Sequence, residues 1–270
     1  MTPTGDSYTC AAGGRISAGR RFIGGNRRVS IWGQSNAVGR ADATDISASP
    51  LSSDAGLAAF AAATFERVWI FNGTVYQKLN IATNNQAAAG QFGPEFGLAV
   101  RWMRETTAGN LFLEKEAAGG QSIVYFDPAG GAYAAALVRR GYANSWLNTN
   151  GYSSIIDDGF LWIQGETDYQ QTQSWYQTRL DAVLSANLSN GISTGTTRRI
   201  LTRMQPSSGY YGAGVDAALV AVASANSTTT TAPRMINHYK VDGYHMNGQG
   251  QVQTGYDAFE TFFGASHIAT

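Results

Sequence analysis

RVSIWGQSN, residues 28–36, is the stretch that decides the fold. Its first five residues form a short run rich in β-branched and aromatic side chains, which predicts a buried β-strand. Gly33 then allows a tight turn, so that Ser35 falls just beyond the carboxyl end of the strand. The order of strand, glycine turn and new element is typical of α/β proteins.

Strand-like runs of this kind recur along the chain and alternate with amphipathic segments. In residues 93–105, for example, Phe96, Val100 and Met103 share one face of a helix, and Pro94 stands near its first turn. Alternating strands and helices predict a largely parallel sheet covered by helices on both faces. The predicted strands are 28–32, 67–71, 110–115, 159–163, 199–204 and 234–237, a hairpin turn is predicted at Asn72-Gly73, and the predicted helices are 93–105, 169–190, a segment around 215–222, and 250–263.

The start of the chain differs from this alternating part. Residues 1–27 are rich in Gly, Arg and Ser and show no hydrophobic period, so we interpret them as a leader, linker or attachment segment. No internal repeat is visible in the remainder, and the polar run 227–231 is predicted to be a loop. We therefore predict a single domain over residues 28–270.

The composition is unusual in its low charge. Charged residues make up 14% of the 270 residues, against about 25% in an ordinary soluble protein, and the 19 basic and 19 acidic residues cancel. Without a basic excess the chain cannot neutralise a phosphate backbone, which argues against a nucleic-acid partner. A polar but nearly uncharged surface suits a neutral, hydrated partner such as a carbohydrate.

Cysteine content and hydrophobic segments exclude two further classes. The single cysteine, Cys10, cannot form an internal disulfide, so the fold is not a disulfide scaffold. The first residues carry no signal-peptide pattern. The longest small-apolar stretch, residues 55–65, is too short to span a bilayer, so we expect no membrane partner.

Chemically useful residues follow several predicted strands, where the ligand sites of parallel sheets gather. Ser35 follows the first strand, and backbone N–H groups at the start of the next element would favour negative charge beside it. An ordinary helix-capping serine is the alternative. Gly119 and Gly120 follow the third strand and could bring backbone N–H groups close to a ligand, or could form a plain turn. Gln164, after the fourth strand, could donate its amide to an oxyanion.

A nucleophilic serine needs a base within hydrogen-bond reach, and that base needs an acceptor that fixes its tautomer. Of the three histidines in the chain, only His245 has an acidic residue at turn spacing, Asp242. This spacing across a glycine turn can place both side chains on one side of a loop, although a structural histidine is the alternative. Glu166 and Asp168 follow the fourth strand and could equally complement the dipole of the next helix.

Five sequence blocks occur in the order found in a known family. They are IWGQSN (31–36), GPEFG (93–97), Lys115 through GGQS (119–122), WIQGETD (162–168) and DGYH (242–245). Together they resemble the SGNH-type carbohydrate esterases, in particular the branch of sialate O-acetylesterases and acetylxylan esterases. The resemblance covers residues 28–263 and implies an esterase domain with a three-layer α/β/α sandwich on a mainly parallel, flavodoxin-like sheet.

The resemblance also implies a role for each matched residue. Ser35 would be the nucleophile that removes O-acetyl groups from a polysaccharide. His245 would act as general base and then acid, and Asp242 would orient it. The oxyanion hole would use the backbone N–H of Ser35, that of Gly120 (or Gly119) and the side chain of Gln164, with Gly119, Glu166 and Asn36 in supporting positions.

Two positions depart from the family pattern. Ile163 stands where a polar residue usually precedes the glutamine, and Ala37 stands where methionine is common. The first change removes a polar contact, and the second alters one wall of the acyl pocket. Neither removes a catalytic group, and the implied acyl transfer to water requires no metal and no organic cofactor.

The remaining expectations concern the substrate and its setting. The irregular N-terminal segment and the polar surface resemble a bacteriophage tail protein. We therefore expect an extracellular or virion-associated deacetylase of a bacterial surface glycan, either as a homotrimer or attached to a larger tail assembly. The alternatives are a catalytically inactive carbohydrate-binding receptor module and a lipid or thioester hydrolase. Four aromatic residues could stack on sugar rings or simply pack under loops: Tyr125, Phe126, Tyr210 and Tyr211.

Overall fold

The computed structural model describes residues 25–48, 50–81, 83–234 and 239–264. Cys10, most of the predicted leader and almost all of the predicted strand 234–237 lie outside the described residues. The boundary near residue 27 stays a prediction, although the first described strand begins close to it, at Asn26.

A seven-stranded sheet lies at the centre of the described part of the chain. Its main strands cover the predicted positions to within a few residues, because runs of β-branched and aromatic residues mark them. The strands are β1 (Asn26–Gly33), β2 (Ala41–Asp42), β3 (Val68–Phe71), β4 (Tyr76–Lys78), β5 (Gln91–Phe92), β6 (Asn110–Ala117), β7 (Ile155–Ile163), β8 (Arg198–Leu201) and β9 (Thr230–Thr231).

The strand order in the sheet is β4-β3-β6-β1-β7-β8-β9, while β2 pairs with β5 in a separate ribbon. Neighbours in the sheet are parallel except β3 and β4, which form an antiparallel hairpin. Asn72 caps the hairpin turn as predicted, since its side chain accepts hydrogen bonds from the N–H groups of Thr74 and Val75. The loop predicted over 227–231 is wrong in part, because Thr230 and Thr231 pair with β8.

Helices cover both faces of the sheet. On one face, Trp32 of β1 packs against Tyr133 with 5.8 Å between ring centroids. On the other, Gly159 of β7 leaves room for Phe262, because a β-carbon on Gly159 would lie 2.5 Å from that ring. The helices are α1 (Ser35–Val38), α2 (Ala55–Ala62), α3 (Pro94–Glu105), α4 (Gly131–Thr149), α5 (Gln173–Ser189), α6 (Ala213–Ala225) and α7 (Gly248–Phe263).

The architecture is therefore the expected three-layer α/β/α sandwich with a mainly parallel sheet. α4 carries Tyr133, α5 packs beside α6, and α3 packs beside α7, which carries Phe262. Besides the single turn α1, two helices were not predicted, α2 and α4, and both are rich in alanine. Within the described ranges, no helix is both long and apolar enough to cross a bilayer.

Three strands in the middle of the sheet end side by side. The N–H of Gln34 donates to the carbonyl of Ile163 at 2.9 Å, and the N–H of Ala118 donates to the carbonyl of Gly33 at 2.9 Å. These bonds extend the ladder one residue past β1 and β6. The loops that follow β1, β6 and β7 consequently start from one edge, where the predicted site residues lie.

Candidate active site

Ser35 follows a turn that requires glycine. Gly33 has a φ of +138°, and a β-carbon there would lie 1.9 Å from the carbonyl oxygen of Ile163. Gln34 is the next residue, and Ser35 begins the single turn of α1. The close approach of β1 and β7 therefore turns the chain sharply and directs Ser35 toward the edge of the sheet.

A cavity of about 500 Å³ opens at this edge. Its walls come from the loops after β1, β6 and β7, from a loop before α6, and from the loop before α7. The structure thus brings together residues that are up to 211 positions apart in the chain, as the interval from Gln34 to His245 shows (245 − 34). Residues that line the cavity include Ser35, Gly119, Gly120, Glu166, Tyr210 and His245.

His245 and Asp242 form a hydrogen-bonded pair with 2.8 Å between Nδ1 and Oδ2. The other carboxylate oxygen of Asp242 accepts the N–H groups of Tyr244 at 3.0 Å and His245 at 2.9 Å. Partial burial raises the pKa of Asp242, but these hydrogen bonds outweigh it, so the pKa lies below its ordinary value of 3.8. An ionised Asp242 favours the tautomer with hydrogen on Nδ1, which leaves Nε2 able to accept a proton.

Asn36 joins the serine turn to the histidine loop. Its Nδ2 donates to the carbonyl of Tyr244 at 3.0 Å, and its Oδ1 accepts the N–H of Met246 at 2.9 Å. These two contacts flank His245 on both sides. Because Asn36 is fully buried and directly follows Ser35, it fixes the position of the histidine loop relative to the serine turn.

Glu166 holds the side-chain amides of the serine turn. Its carboxylate accepts Nε2 of Gln34 at 2.6 Å and Nδ2 of Asn36 at 2.7 Å. Burial raises the pKa of Glu166 above its ordinary value, and the hydrogen bond from Asn36 offsets this only in part. Glu166 therefore lies beside the cavity with both oxygens directed at the residues on either side of Ser35.

Of the two glycines after β6, Gly119 lies close to Ser35 and Gly120 faces open space. A β-carbon on Gly119 would lie 2.9 Å from Nη2 of Arg40 and 3.9 Å from Cβ of Ser35, so a larger residue would intrude on the site. Gly120 has a φ of +71°, which glycine adopts without strain. No described atom lies within 4 Å of the place where its β-carbon would be. The backbone of Gly120 is thus open to a ligand.

Gln164 is a correction to the sequence prediction. It is fully buried and does not line the cavity. Its Nε2 donates to Asp168 at 2.6 Å and to the carbonyl of Gln121 at 3.2 Å, and its Oε1 accepts the hydroxyl of Tyr176 at 2.5 Å. Both amide hydrogens are used inside the protein, so this side chain does not serve as an oxyanion donor in this arrangement.

Lys115 and Glu95, which lie in two of the sequence blocks, form a buried pair beneath the serine turn. Nζ of Lys115 donates to Oε2 of Glu95 at 2.8 Å and to the carbonyl of Val38 at 2.7 Å. Burial lowers the pKa of Lys115, and the charge of Glu95 opposes this shift only in part. The pair therefore supports the last residue of α1, a role that the sequence analysis did not assign.

Two cations that the sequence analysis missed also reach the cavity. Nη1 of Arg40 donates to Oε1 of Gln91 at 3.5 Å, and none of the ion pairs within the described ranges involves Arg40. Lys240, in contrast, pairs with Asp42 at 2.7 Å. The available signal for Arg40 was its place on the loop that leaves the serine turn, five residues after Ser35.

The aromatic residues are divided between the cavity and the core. Tyr210 is 39% exposed and lines the cavity. It packs edge-on against Tyr244 at 4.7 Å, and the ring of Tyr244 lies 4.2 Å from that of His245. The other three predicted sugar-stacking candidates do not line the cavity: Tyr125 is exposed, Phe126 is buried in the core, and Tyr211 is partly buried against it.

The fold and this geometry define a class of protein. Ser35, His245 and the backbone of Gly120 line one cavity at the carboxyl edge of a parallel sheet, and Asp242 binds His245. This edge is where α/β enzymes hold their active sites. No group of three or more His, Cys, Asp or Glu side chains that could hold a metal ion occurs among the described residues.

Comparison with known proteins identifies the family. The chain belongs to the carbohydrate esterases described as sialic acid-specific acetylesterases, whose family profile matches residues 29–263. It is accordingly a carbohydrate O-acetylesterase, as the five sequence blocks predict. No curated protein is significantly similar in sequence.

Solved structures share the fold at low sequence identity. A protein from Arabidopsis thaliana superposes with a TM-score of 0.67 at 16% identity, over 90% of this chain and 99% of that one. NanS superposes with a TM-score of 0.59 at 11% identity, over 87% and 95%. A carbohydrate acetylesterase from Xanthomonas citri superposes with a TM-score of 0.53 at 14% identity, over 91% of this chain and 56% of that one.

Proposed function

We propose that the chain removes O-acetyl groups from an acidic glycan, with Ser35 as nucleophile, His245 as general base and acid, and Asp242 as the partner of His245. The observation that carries the mechanism is that His245, hydrogen-bonded to Asp242 at 2.8 Å, lines the same cavity as Ser35. The Asn36 contacts on both sides of His245 further support it.

In the first step, Oγ of Ser35 attacks the carbonyl carbon of the acetyl ester, while Nε2 of His245 accepts the hydroxyl proton. Negative charge develops on the carbonyl oxygen. The backbone N–H groups of Ser35 and Gly120 are the proposed donors to that oxygen, each contributing about 3 kcal/mol to the lowering of the barrier. Gly119 has no side chain, so it leaves space beside Ser35 for the acetyl group.

In the second step, His245 returns the proton to the departing sugar oxygen, so that the free hydroxyl leaves and Ser35 carries the acetyl group. Water then attacks this acyl-enzyme while His245 accepts one of its protons. Collapse of the second tetrahedral intermediate releases acetate, and the proton returns to Ser35. Ionised Asp242 stabilises the imidazolium that forms in both steps.

The mechanism is tested by Ser35→Ala. We expect acetate release from 4-nitrophenyl acetate and from acetylated glycans to fall by at least about 10⁴-fold, because the nucleophile is absent. Ser193→Ala is the matched control, since Ser193 is also a buried serine but does not line the cavity. Both variants should melt near the wild-type temperature. A Ser35→Ala protein that still turns over would contradict the mechanism.

The position of Arg40 is the reason for proposing an acidic group on the substrate. The Arg40 guanidinium lines the cavity, and its one hydrogen bond to the described residues is a long one, to Gln91; it can bind a carboxylate through two parallel hydrogen bonds. The family description names sialic acid, a sugar that carries such a carboxylate. The zero net charge of the chain does not conflict with this proposal, because it does not describe the charge at one cavity.

Arg40→Gln separates binding of the acid from the chemistry. Loss of a charged hydrogen bond should raise KM for O-acetylated sialic acid by about tenfold or more. KM for 4-nitrophenyl acetate, which has no carboxylate, should stay unchanged. For the methyl ester of the acetylated sugar, which also lacks the charge, KM should be the same in wild type and Arg40→Gln. Equal KM changes for acid and ester would contradict a carboxylate at Arg40.

For the natural setting we propose a bacterial surface glycan, met outside the cell or at a virion surface. Support comes from the polar, weakly charged sequence and from the Gly-, Arg- and Ser-rich residues 1–27, which suit an attachment segment to a trimer or larger assembly. Acetate release should be faster from acetylated bacterial capsule or O-antigen than from acetylated xylan. The reverse preference would contradict this setting.

A further inference from the structure

Behind the two cavity glycines lies a carboxylate that the mechanism does not use. Asp168 is only 3% exposed. Its Oδ1 accepts the hydroxyl of Ser122 at 2.6 Å, and its Oδ2 accepts the N–H of Ile123 at 2.7 Å and Nε2 of Gln164 at 2.6 Å. Three donors from two loops therefore converge on one buried carboxylate.

The network continues into the core through Gln164. Its Nε2 also donates to the carbonyl of Gln121, and its Oε1 accepts the hydroxyl of Tyr176. That hydroxyl in turn accepts Nε1 of Trp162 at 3.1 Å. The loop that carries Gly119 and Gly120 is thus connected to the fully buried side chains of β7 and α5.

These hydrogen bonds anchor the loop on both sides of the two glycines. The two glycines lie between an anchor at Ala118, whose N–H donates to Gly33, and the anchors at residues 121–123. Glycine has more backbone freedom to lose than any other residue, so an unanchored glycine pair would sample many orientations. Fixing both ends restricts the direction of the Gly120 N–H.

We propose that Asp168 is a positioning residue for the oxyanion hole. Acting through Ser122, Ile123 and Gln164, it holds the glycine loop so that the Gly120 N–H faces the acetyl carbonyl oxygen before the reaction begins. The inference rests on the proposed serine mechanism. It also explains why a glutamine follows β7 although its amide does not reach the cavity: Gln164 fixes the donor loop.

The test measures turnover and transition-state affinity separately. In Asp168→Ala, we expect kcat for 4-nitrophenyl acetate to fall by about 100-fold, the lower end of what loss of one oxyanion donor costs. KM should change by no more than about twofold, since the ground-state carbonyl depends little on that donor. The Ki of methylboronic acid, which forms a tetrahedral adduct on Ser35, should rise in parallel with the loss of kcat.

Asp168→Asn is the conservative variant. The hydroxyl of Ser122 can reverse and accept from the new amide, while the amide oxygen still accepts from Ile123 and Gln164. Asn should therefore restore most of kcat and of the boronate affinity. Asp216→Ala is the matched control, because Asp216 is also a buried, multiply bonded carboxylate, but its arginine partners lie outside the cavity. It should leave both values unchanged.

The outcomes separate the two proposals. If Asp168→Ala folds and keeps wild-type kcat and Ki, or if KM rises instead of kcat falling, the positioning role is wrong although an inactive Ser35→Ala still supports the mechanism. An active Ser35→Ala overturns the mechanism itself. If Asp168→Ala does not fold, Ser122→Ala removes one of the three bonds and should lower kcat and boronate affinity together by about threefold; unchanged values there contradict the inference.

Discussion

Two buried glutamates, one in the sheet and one in the loop that follows β7, have different neighbours. Glu114 of β6 is 7% exposed and accepts hydrogen bonds from Arg140 at 2.8 Å, Arg28 at 3.3 Å and the hydroxyl of Tyr76 at 2.5 Å. Glu166, beyond β7, is 4% exposed and accepts from two side-chain amides. One carboxylate is surrounded by charge, the other by neutral donors.

The difference moves the two pKa values in opposite directions. Burial raises the pKa of Glu114, but the charges of Arg140 and Arg28 outweigh it, so the pKa lies below its ordinary value of 4.5. For Glu166 burial prevails, and the pKa lies above 4.5. Charged partners secure an ion that stabilises the fold, whereas amide partners hold geometry without adding positive charge next to Ser35. The comparison teaches that burial alone does not identify the role of an acid.

The largest effect should come from the acid that contacts His245. Asp242→Asn removes the acceptor that fixes the imidazole tautomer, so kcat should fall by about 10⁴-fold. The melting temperature should change little, because Asp242 is partly exposed. Steady-state kinetics and thermal melts measure both. If Glu166→Ala lowers kcat more than Asp242→Asn does, the two acids have exchanged roles.

A change in the buried charge cluster of Glu114, Arg28 and Arg140 should lower the stability of the fold but not its turnover. Glu114→Gln leaves Arg28 and Arg140 with one buried counter-ion fewer, and the free energy of unfolding should fall by about 3–5 kcal/mol. Because the cluster does not line the cavity, kcat per folded molecule should match the wild type. Urea unfolding and an active-site titration provide the two values. Reduced kcat in fully folded protein would contradict the separation.

Glu166→Gln should have a smaller effect on both quantities. The new amide turns one donor toward the donor of Gln34 or Asn36, which costs about 1–3 kcal/mol. A displaced Asn36 shifts the histidine loop, so kcat should also fall, by about tenfold. Glu66→Gln is the matched control, because Glu66 is an exposed glutamate that does not line the cavity. Unchanged kcat would show that the amides hold their positions without the carboxylate.

The smallest expected effect is on how the free energy of unfolding changes with pH, and its sign distinguishes the two glutamates. The pKa of Glu114 is lowered in the folded state, so its contribution is complete above about pH 5 and is lost as the pH falls through the folded pKa. The pKa of Glu166 is raised in the folded state, so its contribution to stability is complete below about pH 4.5 and is lost as the pH rises through the folded pKa. The test measures free energies of unfolding from about pH 3 to pH 7. The difference between wild type and Glu114→Gln should increase with pH, and the difference between wild type and Glu166→Gln should decrease. Equal slopes would contradict the comparison.

Sequence patterns predicted the main strands and the helices with strong apolar faces. The run before Gly33 and the face of α3 carry enough apolar contrast to be recognised locally. α4 was missed because its exposed positions include the apolar Val138 and Tyr142, which obscure its buried face, and because its packing depends on aromatic residues of other elements. β9 was missed because two threonines become a strand only when β8 lies beside them.

The site was predictable where its chemistry depends on residue type and local spacing. Asp242 and His245 pair across a short turn, which the spacing indicates. Gln164 was misplaced because its partner Asp168 and its acceptor Gln121 decide its orientation, and a three-dimensional hydrogen-bond network leaves no local pattern. Arg40 was missed for a similar reason: a single cation on a loop gains meaning only from the cavity that it enters.

The bond between Asn36 and Met246 has a consequence for how the protein is made. It spans 210 positions of sequence, which makes it one of the most non-local contacts in the fold. A contact of this kind forms late, because the chain must first lose the entropy of closing that long loop. During synthesis the serine turn is translated about 210 residues before the histidine loop that it binds. A half-folded chain therefore carries Ser35 without His245, its proposed base, beside it.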